Sequence, residues 1–434
     1  MRKLFALSAL SVAMIAAPTF TASAAGFQVT THSATGNGRA NAGEAAIADN
    51  ASVLARNPAA MTRFESAEIS GGINVIAPTT DVTGISYQAP VPVQAVPVAD
   101  QNDVTQTTPV PNLYYIQPIN DRLAVGFAAN TNFGTTTEFS EDFHNAVELP
   151  GLGKPLGLTG GKTRVYTINL NTSVAYKLTE RLSLGLGVNA IYGEGEFKRS
   201  APTDIDGVYA FDVDFKGEGW DYAFDFGALY EVNENHRFAL TYRTGSDFTA
   251  DGDAQISTLH PQAGPITIDV NSIKLNLPDM AEFAGYHKLT DKFAMHYSVN
   301  WTGWSDFKTI DFIGDNGAVV YQNEYGWDNA MRYAIGGTYE LNQKVVLRAG
   351  IAYDSSPIPE DKRIISIPDS NRWWYSAGAS YHFSDSSSLD FGITYINGEA
   401  TDVVEPIAGG SLGTLSATTK TTAVIAGLQY NHRF

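Results

Sequence analysis

Between residues 164 and 178 apolar and polar positions alternate one by one. Tyr166, Ile168, Leu170, Val174, Tyr176 and Leu178 share one face, and Asn169, Asn171, Ser173 and Lys177 the other. The same period of two recurs with Phe293, Met295, Tyr297, Val299 and Trp301 opposite Ala294, His296, Ser298, Asn300 and Thr302. It returns with Tyr222, Phe224, Phe226 and Tyr230, with Phe238, Leu240 and Tyr242, and with Trp373, Tyr375, Tyr381 and Phe383. A period of two is the signature of a strand with two unlike faces. Many segments run to about 15 residues, beyond the usual strand of a soluble sheet, and aromatic residues gather toward their ends as at a membrane interface. This predicts an all-β fold, a transmembrane antiparallel β-barrel with apolar residues toward lipid and polar residues toward the lumen.

The pattern gives fourteen strands, near residues 65–78, 111–119, 122–139, 163–178, 181–198, 218–232, 236–250, 271–289, 292–310, 326–341, 344–354, 371–383, 387–397 and 421–434. An even number suits a bacterial barrel, as do tight turns such as Leu178-Thr179-Glu180-Arg181 and Leu341-Asn342-Gln343-Lys344 alternating with longer connections. The final strand ends on Phe434 with Tyr430, Leu428 and Ala426 at alternate positions upstream, which resembles the C-terminal signature of outer-membrane proteins.

Three further features change the picture. Arg2 and Lys3, an apolar run to about Ala17, and the triplet Ala22-Ser23-Ala24 read as a secretory signal peptide over residues 1–24. Beyond it no apolar stretch is long enough for a membrane helix, which needs about 20 residues. Residues 25–64 are rich in Ala, Gly and Asn and do not alternate. Asp49-Asn50 can cap a short helix that Asn57-Pro58 then ends. With Phe27, Ile47, Val53, Leu54, Met61 and Phe64 spaced through the segment, it is expected to form a compact hatch inside the barrel formed by residues 65–434.

Composition then excludes classes. The formal charge of −18 repels phosphate backbones, so no nucleic acid partner is expected. The chain has no Cys, which removes disulfides, thiolate metal sites and a Cys nucleophile. Gly409-Gly410-Ser411-Leu412-Gly413 fits the G-x-S-x-G pattern but lies between barrel strands, without the strand-turn-helix that the chemistry needs. Gly161-Lys162-Thr163 lacks the first P-loop glycine, replaced by Leu156. Asp212, Asp214 and Gly217 begin like a calcium loop whose twelfth position is Ala223, not Glu. No enzyme, metal or cofactor is expected.

The mature start Ala25-Gly26-Phe27-Gln28, the run Gly36-Asn37-Gly38-Arg39-Ala40, residues 43–49 and above all Asn57-Pro58-Ala59 resemble the hatch of the FadL family, the outer-membrane long-chain fatty acid transporters. Leu275-Asn276-Leu277-Pro278-Asp279-Met280, His296-Tyr297-Ser298, Ser356-Pro357-Ile358-Pro359 and Ile365-Ser366-Ile367-Pro368-Asp369 extend the similarity along nearly the whole chain. The resemblance implies fourteen strands around a hatch, and an inward kink of the third strand, here Asn132-Phe133-Gly134, opening a hole in the wall beside Asn57-Pro58-Ala59. It implies a pocket around the N-terminal Phe27, with Phe197 and Arg199 as an apolar and a basic lining residue. The family's second basic position is Asp328 here, so Lys198 or Arg332 is expected to stand in for it. Residues 200–217 and 251–270 are expected as outer loops, short for the family's external groove. The expected function is passive uptake of long-chain fatty acids, captured in a hydrophobic pocket and released sideways; other hydrophobic compounds such as aromatic hydrocarbons are the alternative ligands. Outer-membrane lipid and lipopolysaccharide are the expected surroundings, and a monomer the expected state.

Overall fold

The computed structural model describes residues 26–91, 93–150, 153–203, 209–260 and 264–434. The expected signal segment lies outside them. Fourteen antiparallel strands close into a barrel: β1 Glu68–Gln88, β2 Thr108–Asn120, β3 Leu123–Asn130 and Gly134–Glu138, β4 Lys162–Lys177, β5 Leu182–Pro202, β6 Tyr209–Asn233, β7 His236–Arg243 and Ser246–His260. The rest are β8 Gly264–Leu277 and Met280–Lys288, β9 Phe293–Thr302 and Thr309–Ile313, β10 Val319–Glu324 and Ala330–Glu340, β11 Val345–Asp354, β12 Arg372–Ser384, β13 Ser387–Gly398 and Thr401–Pro406, and β14 Thr414–Arg433. Closure is made by β1 against β14, from Glu68 opposite Arg433 to Gln88 opposite Thr414.

The faces fall as the alternation requires. Tyr222, Phe224, Phe226 and Tyr230 are exposed on the outside, as are Trp373, Tyr375, Tyr381 and Phe383, while Asn169, Asn171, Ser173, His296 and Ser298 are buried on the inside. Polar residues inward and apolar residues outward invert the soluble arrangement, because the outer face meets hydrocarbon. At the tight turns one side chain accepts two amides: Thr179 Oγ1 from Arg181 and Leu182, Asn342 Oδ1 from Lys344 and Val345. That satisfies backbone groups at the point where the ladder ends.

Two stretches expected as loops are largely strand. Residues 200–202 and 209–217 continue β5 and β6, and residues 251–260 and 264–270 continue β7 and β8. Their pattern had no lipid-facing apolar side to betray it: β5 passes from Tyr192 to Glu194, Glu196 and Lys198 on the same side as it leaves the hydrocarbon band.

Inside the barrel, residues 26–64 form two short helices, α1 Ala34–Asn37 and α2 Glu44–Ile47, and two 3-10 turns, Ala51–Ala55 and Pro58–Arg63. Asn50 Oδ1 caps the first of these turns by accepting from Ser52 N. The plug is tied to the wall. Arg39, only 1% exposed, donates to Glu44 at 2.6 Å and Asp49 at 2.7 Å, and Asp49 also meets Arg348 at 3.5 Å. Arg237 donates to the carbonyls of Ala46 and Ile47 with its guanidinium 3.8 Å from the Tyr286 ring. Close approach is allowed where the wall carries glycine: a Cβ on Gly350 would lie 2.2 Å from the Arg39 carbonyl oxygen.

Candidate functional site

The third strand leaves its ladder where the sequence marked it. β3 pairs with β2 as far as Ala129 opposite Leu113, and then turns inward through Thr131, Asn132 and Phe133 before resuming at Gly134. On one side the kink stays bound to β4 through Thr167, whose Oγ1 accepts from Phe133 N at 3.1 Å. On the other side the hatch takes the place of β2. Val29 N donates to Asn132 O at 2.7 Å, and Gly134 N to Phe27 O at 2.8 Å. Among the described residues, backbone pairing toward β3 is next seen ahead of β2, at Thr105 opposite Thr137 and at Glu138 N to Val104 O, 2.9 Å. Residues 108–112 of β2 are therefore laddered to β1 but not to β3.

That edge was legible and was missed. Pro109 and Pro111 lie at alternate positions of β2, so both lack an amide on the same side. Proline belongs on an edge strand, and here it marks the edge that β3 abandons.

Phe27 lies against the kink. Its ring centroid is 5.9 Å from Phe133, 4.7 Å from Trp304, 5.3 Å from Phe307 and 5.9 Å from Trp327. The last three arrive because β9 and β10 are both interrupted, over residues 303–308 and 325–329, where strands were expected over 292–310 and from 326 onward. This aromatic group is continuous with Phe197, Phe215, Phe248, Ile273 and Ile310.

Above it is a cavity of about 650 Å³ whose lining includes Phe197, Arg199, Phe211, Tyr321, Tyr325 and Glu405. Arg199 is 5% exposed and fixed from behind. Its Nη1 donates to the carbonyls of Lys162 at 3.0 Å and Lys198 at 2.8 Å, its Nη2 to Thr163 Oγ1 at 2.8 Å, and its guanidinium lies 4.3 Å from the Phe197 ring. An arginine so held has two N–H groups left for a ligand and loses little freedom on binding. Burial pushes the Glu405 carboxyl up to about 7, against the Ile365 amide and the Arg199 charge, which lower it. Neither Glu405 nor the cations Lys362 and Arg363, which also line the cavity, stood out in the sequence; they come from the β13 end and the β11–β12 loop.

The other expected site residues go elsewhere. Lys198 points out of the barrel and pairs with Asp214 at 3.0 Å, because strand alternation sets it opposite to Phe197 and Arg199. Arg332 is buried under the hatch, donating to Ala40 O at 2.7 Å with its guanidinium 4.9 Å from the Trp374 ring. Asp328 is exposed, beside the buried Trp327. Asp212 and Asp214 lie on strand β6 rather than in a loop, and Ser411 donates to Ala408 O at an exposed turn.

Asn57-Pro58-Ala59 is not beside the break. Asn57 Oδ1 accepts from Ala59 N at 2.9 Å, and its Nδ2 donates to Ala45 O at 2.8 Å. The turn sits on β5 and β6, where a Cβ on Gly227 would lie 2.1 Å from Asn57 Oδ1. Gly227 is in register with Gly185, Ala175 and Ala124, whereas Gly134 is opposite Tyr166. Gly134 is thus about 30 Å higher along the strands at ~3.3 Å per residue, and Asn130, opposite Asn169 where the break begins, about 20 Å. The motif seats the hatch; residues 27–29 meet the gap.

A family model described as outer membrane protein transport protein (OMPP1/FadL/TodX) matches residues 15–434. The long-chain fatty acid transport protein of Escherichia coli O6:H1 is 35% identical over 468 residues, covering 100% of this chain and 99% of that one. Outer membrane protein P1 of Haemophilus influenzae is 35% identical over 475 residues, covering 100% of each. Among solved structures, a Pseudomonas aeruginosa FadL homologue aligns with a TM-score of 0.82 at 21% identity, over 94% of this chain and 100% of that chain. The P. putida toluene transporter TodX aligns at 0.69 and 15% identity, over 93% and 98%.

Proposed function

The chain belongs to the OMPP1/FadL/TodX family of outer-membrane transport proteins, and from that premise we propose that it takes up long-chain fatty acids by capture in the outer cavity and lateral release through the gap between β2 and β3. The family is one of transport channels, not enzymes, its members lie in the bacterial outer membrane, and they carry hydrophobic compounds. The observation that carries the finer reading is Arg199. A buried cation oriented by three bonds at the wall of a cavity that continues into apolar rings suits an amphiphile with an anionic head. Each methylene leaving water contributes about 0.8 kcal/mol, and the charge-assisted hydrogen bond about 1.5–3 kcal/mol. The ring cluster joins Phe27 to Phe133, so a ligand disturbing one disturbs the other. No energy source is needed, since the membrane is the better solvent for the chain. A monomer, surrounded by outer-membrane lipid and lipopolysaccharide, belongs to the same reading.

Uptake of aromatic hydrocarbons is the second reading, favoured by the cluster of Phe27, Trp304, Phe307 and Trp327; it leaves Arg199 without a role. Native mass spectrometry and direct binding with the purified protein separate the two. Oleate binding well above toluene binding supports the first; saturable toluene binding without oleate binding rejects it.

A further inference from the structure

Below the capture cavity lies a second, smaller one. It measures about 50 Å³, and its lining includes Phe197, Phe215, Phe248, Ile273, Leu275 and Ile310, none of them more than 8% exposed. Phe197 lines both cavities and stands between Arg199 above and Gly195 below on β5. The charged residues nearby on β4 and β5 are paired with one another, Glu194 with Arg164 at 3.9 Å and Glu196 with Lys162 at 3.1 Å. What the small cavity offers an occupant is apolar surface.

The hollow exists because of one glycine. Gly195 is opposite Gly217 on β6, and a Cβ built on it would meet nothing within 4 Å. Two residues along, a Cβ on Gly193 would lie 2.5 Å from the Phe248 ring, so that position is already filled. Size and distance then say what fits at Gly195. A space of about 50 Å³ takes roughly two methylene-sized groups, whereas a cavity that binds benzene measures about 150 Å³. Gly195 is four residues from Arg199 on the same strand, about 13 Å at ~3.3 Å per residue. An alkyl chain advances about 1.3 Å per carbon with C–C bonds near 1.5 Å, so about ten carbons separate a carboxylate on Arg199 from a tail at Gly195. Thr167 also lines the small cavity, and its Oγ1 is the group that accepts from Phe133 N in the kink at 3.1 Å. A tail that arrives there lies beside the exit.

We propose that the small cavity at Gly195 reads the length of the tail, so that chains longer than about ten carbons gain a second anchor beside the kink and shorter ones do not. Gly195 is then the residue that sets the chain-length class, by leaving space where any side chain would take it. This rests on capture at Arg199 in the proposed function and adds the length of the ligand.

The test is affinity against carbon number, measured with saturated fatty acids from octanoate to palmitate on the purified protein, for the parent, Gly195→Ala and Gly195→Leu. Each methylene kept out of an apolar site weakens binding about fourfold. The alanine methyl takes the place of one, so palmitate should bind about fourfold more weakly; leucine fills the space, and the loss should be about tenfold or more, with octanoate unchanged in both. Equal loss at every length, or variant curves that coincide with the parent's, overturns the length reading and leaves capture at Arg199 standing. A parent that binds no fatty acid of any length rejects capture, and the length reading falls with it. Heat-dependent electrophoretic mobility reports folding, and if Gly195→Leu fails to fold, Gly195→Ala decides alone.

Discussion

The inner and outer halves of the lumen are built from opposite materials. Toward the short turns, the hatch is seated by the buried Arg39 with its partners Glu44 and Asp49, the latter part-exposed, by arginines on its carbonyls, and by glycines that let it touch the wall backbone. The space left there is a cavity of about 240 Å³ whose lining includes Asp49, Arg237, His296, Arg348 and Asp390. Toward the long loops, β3, β9 and β10 are interrupted, aromatic rings fill the breaks, and the cavity is about 650 Å³. An alkyl chain gains by entering the outer half and would have to displace paired charges to cross the inner one. The difference bears on the proposed direction: the hatch and its charges occupy the inner half, while the apolar space lies in the outer half beside the break in β3.

Removing the seat should have the largest effect. Arg39→Ala leaves the buried Glu44 without its cation and Asp49 with Arg348 alone, and breaking a buried pair typically costs about 3–5 kcal/mol. We expect a lowered unfolding transition and leakage of small hydrophilic solutes in a vesicle-swelling assay. A variant as tight and as stable as the parent would show that something other than this ion group closes the inner half.

Filling the gap comes next. Gly134→Leu puts a branched side chain on the kink where none now stands, and uptake should drop by about tenfold or more while oleate capture persists, since the capture cavity lies above. Ala59→Trp sharpens the contrast. Ala59 lies against β5, where a Cβ on Gly185 would already be 2.3 Å from Ala59 N, so bulk there should unseat the hatch rather than plug the exit. Folding yield and uptake measured together tell the two apart; a folded Ala59→Trp barrel that is selectively blocked in release would return that motif to the gate.

The strands that cross lipid were readable because period-two alternation is forced wherever one face meets hydrocarbon. Every one of the fourteen was found, and the ends were short only where lipid stops imposing the pattern, as at Thr414 to Lys420 of β14, a threonine-rich stretch. The site was less readable for a geometric reason. Phe27, Phe197, Arg199 and the kink could be marked from short local motifs, but Trp304 joins the ring cluster and Tyr325 the cavity only because β9 and β10 break, while Glu405 enters from the end of β13, and no local pattern announces that. Lys198 was misplaced by one residue of alternation. The prolines at 109 and 111 carried the missing half of the gap in plain view.

Arg199→Ala should have a smaller and more selective effect. It removes the two free N–H groups and the charge facing the cavity, and oleate binding should weaken about tenfold or more, with toluene binding unchanged. Equal loss for both ligands would mean that Arg199 acts through the packing of Phe197.

The smallest expected effect concerns Glu405 and pH. Its carboxyl shares the cavity with Arg199 and is pushed up to about 7 by burial, well above the ordinary carboxylate range. Below that value it is protonated, and Arg199 faces the ligand head without a competitor. Above it Glu405 is ionised, repels an incoming carboxylate and takes part of the guanidinium field. Oleate affinity should therefore fall by roughly a few-fold between pH 6 and pH 8. The same shift acts on stability with a defined sign. The folded state holds a proton that the unfolded chain releases, so this group's contribution is favourable at low pH and is lost as pH rises from the ordinary carboxylate value through about 7. Titration of the ligand itself would be present with any cavity, so the decisive comparison is Glu405→Gln, which should bind oleate at pH 8 as well as the parent does at pH 6. If the parent and Glu405→Gln lose affinity in parallel, the outer half owes its selectivity to Arg199 alone.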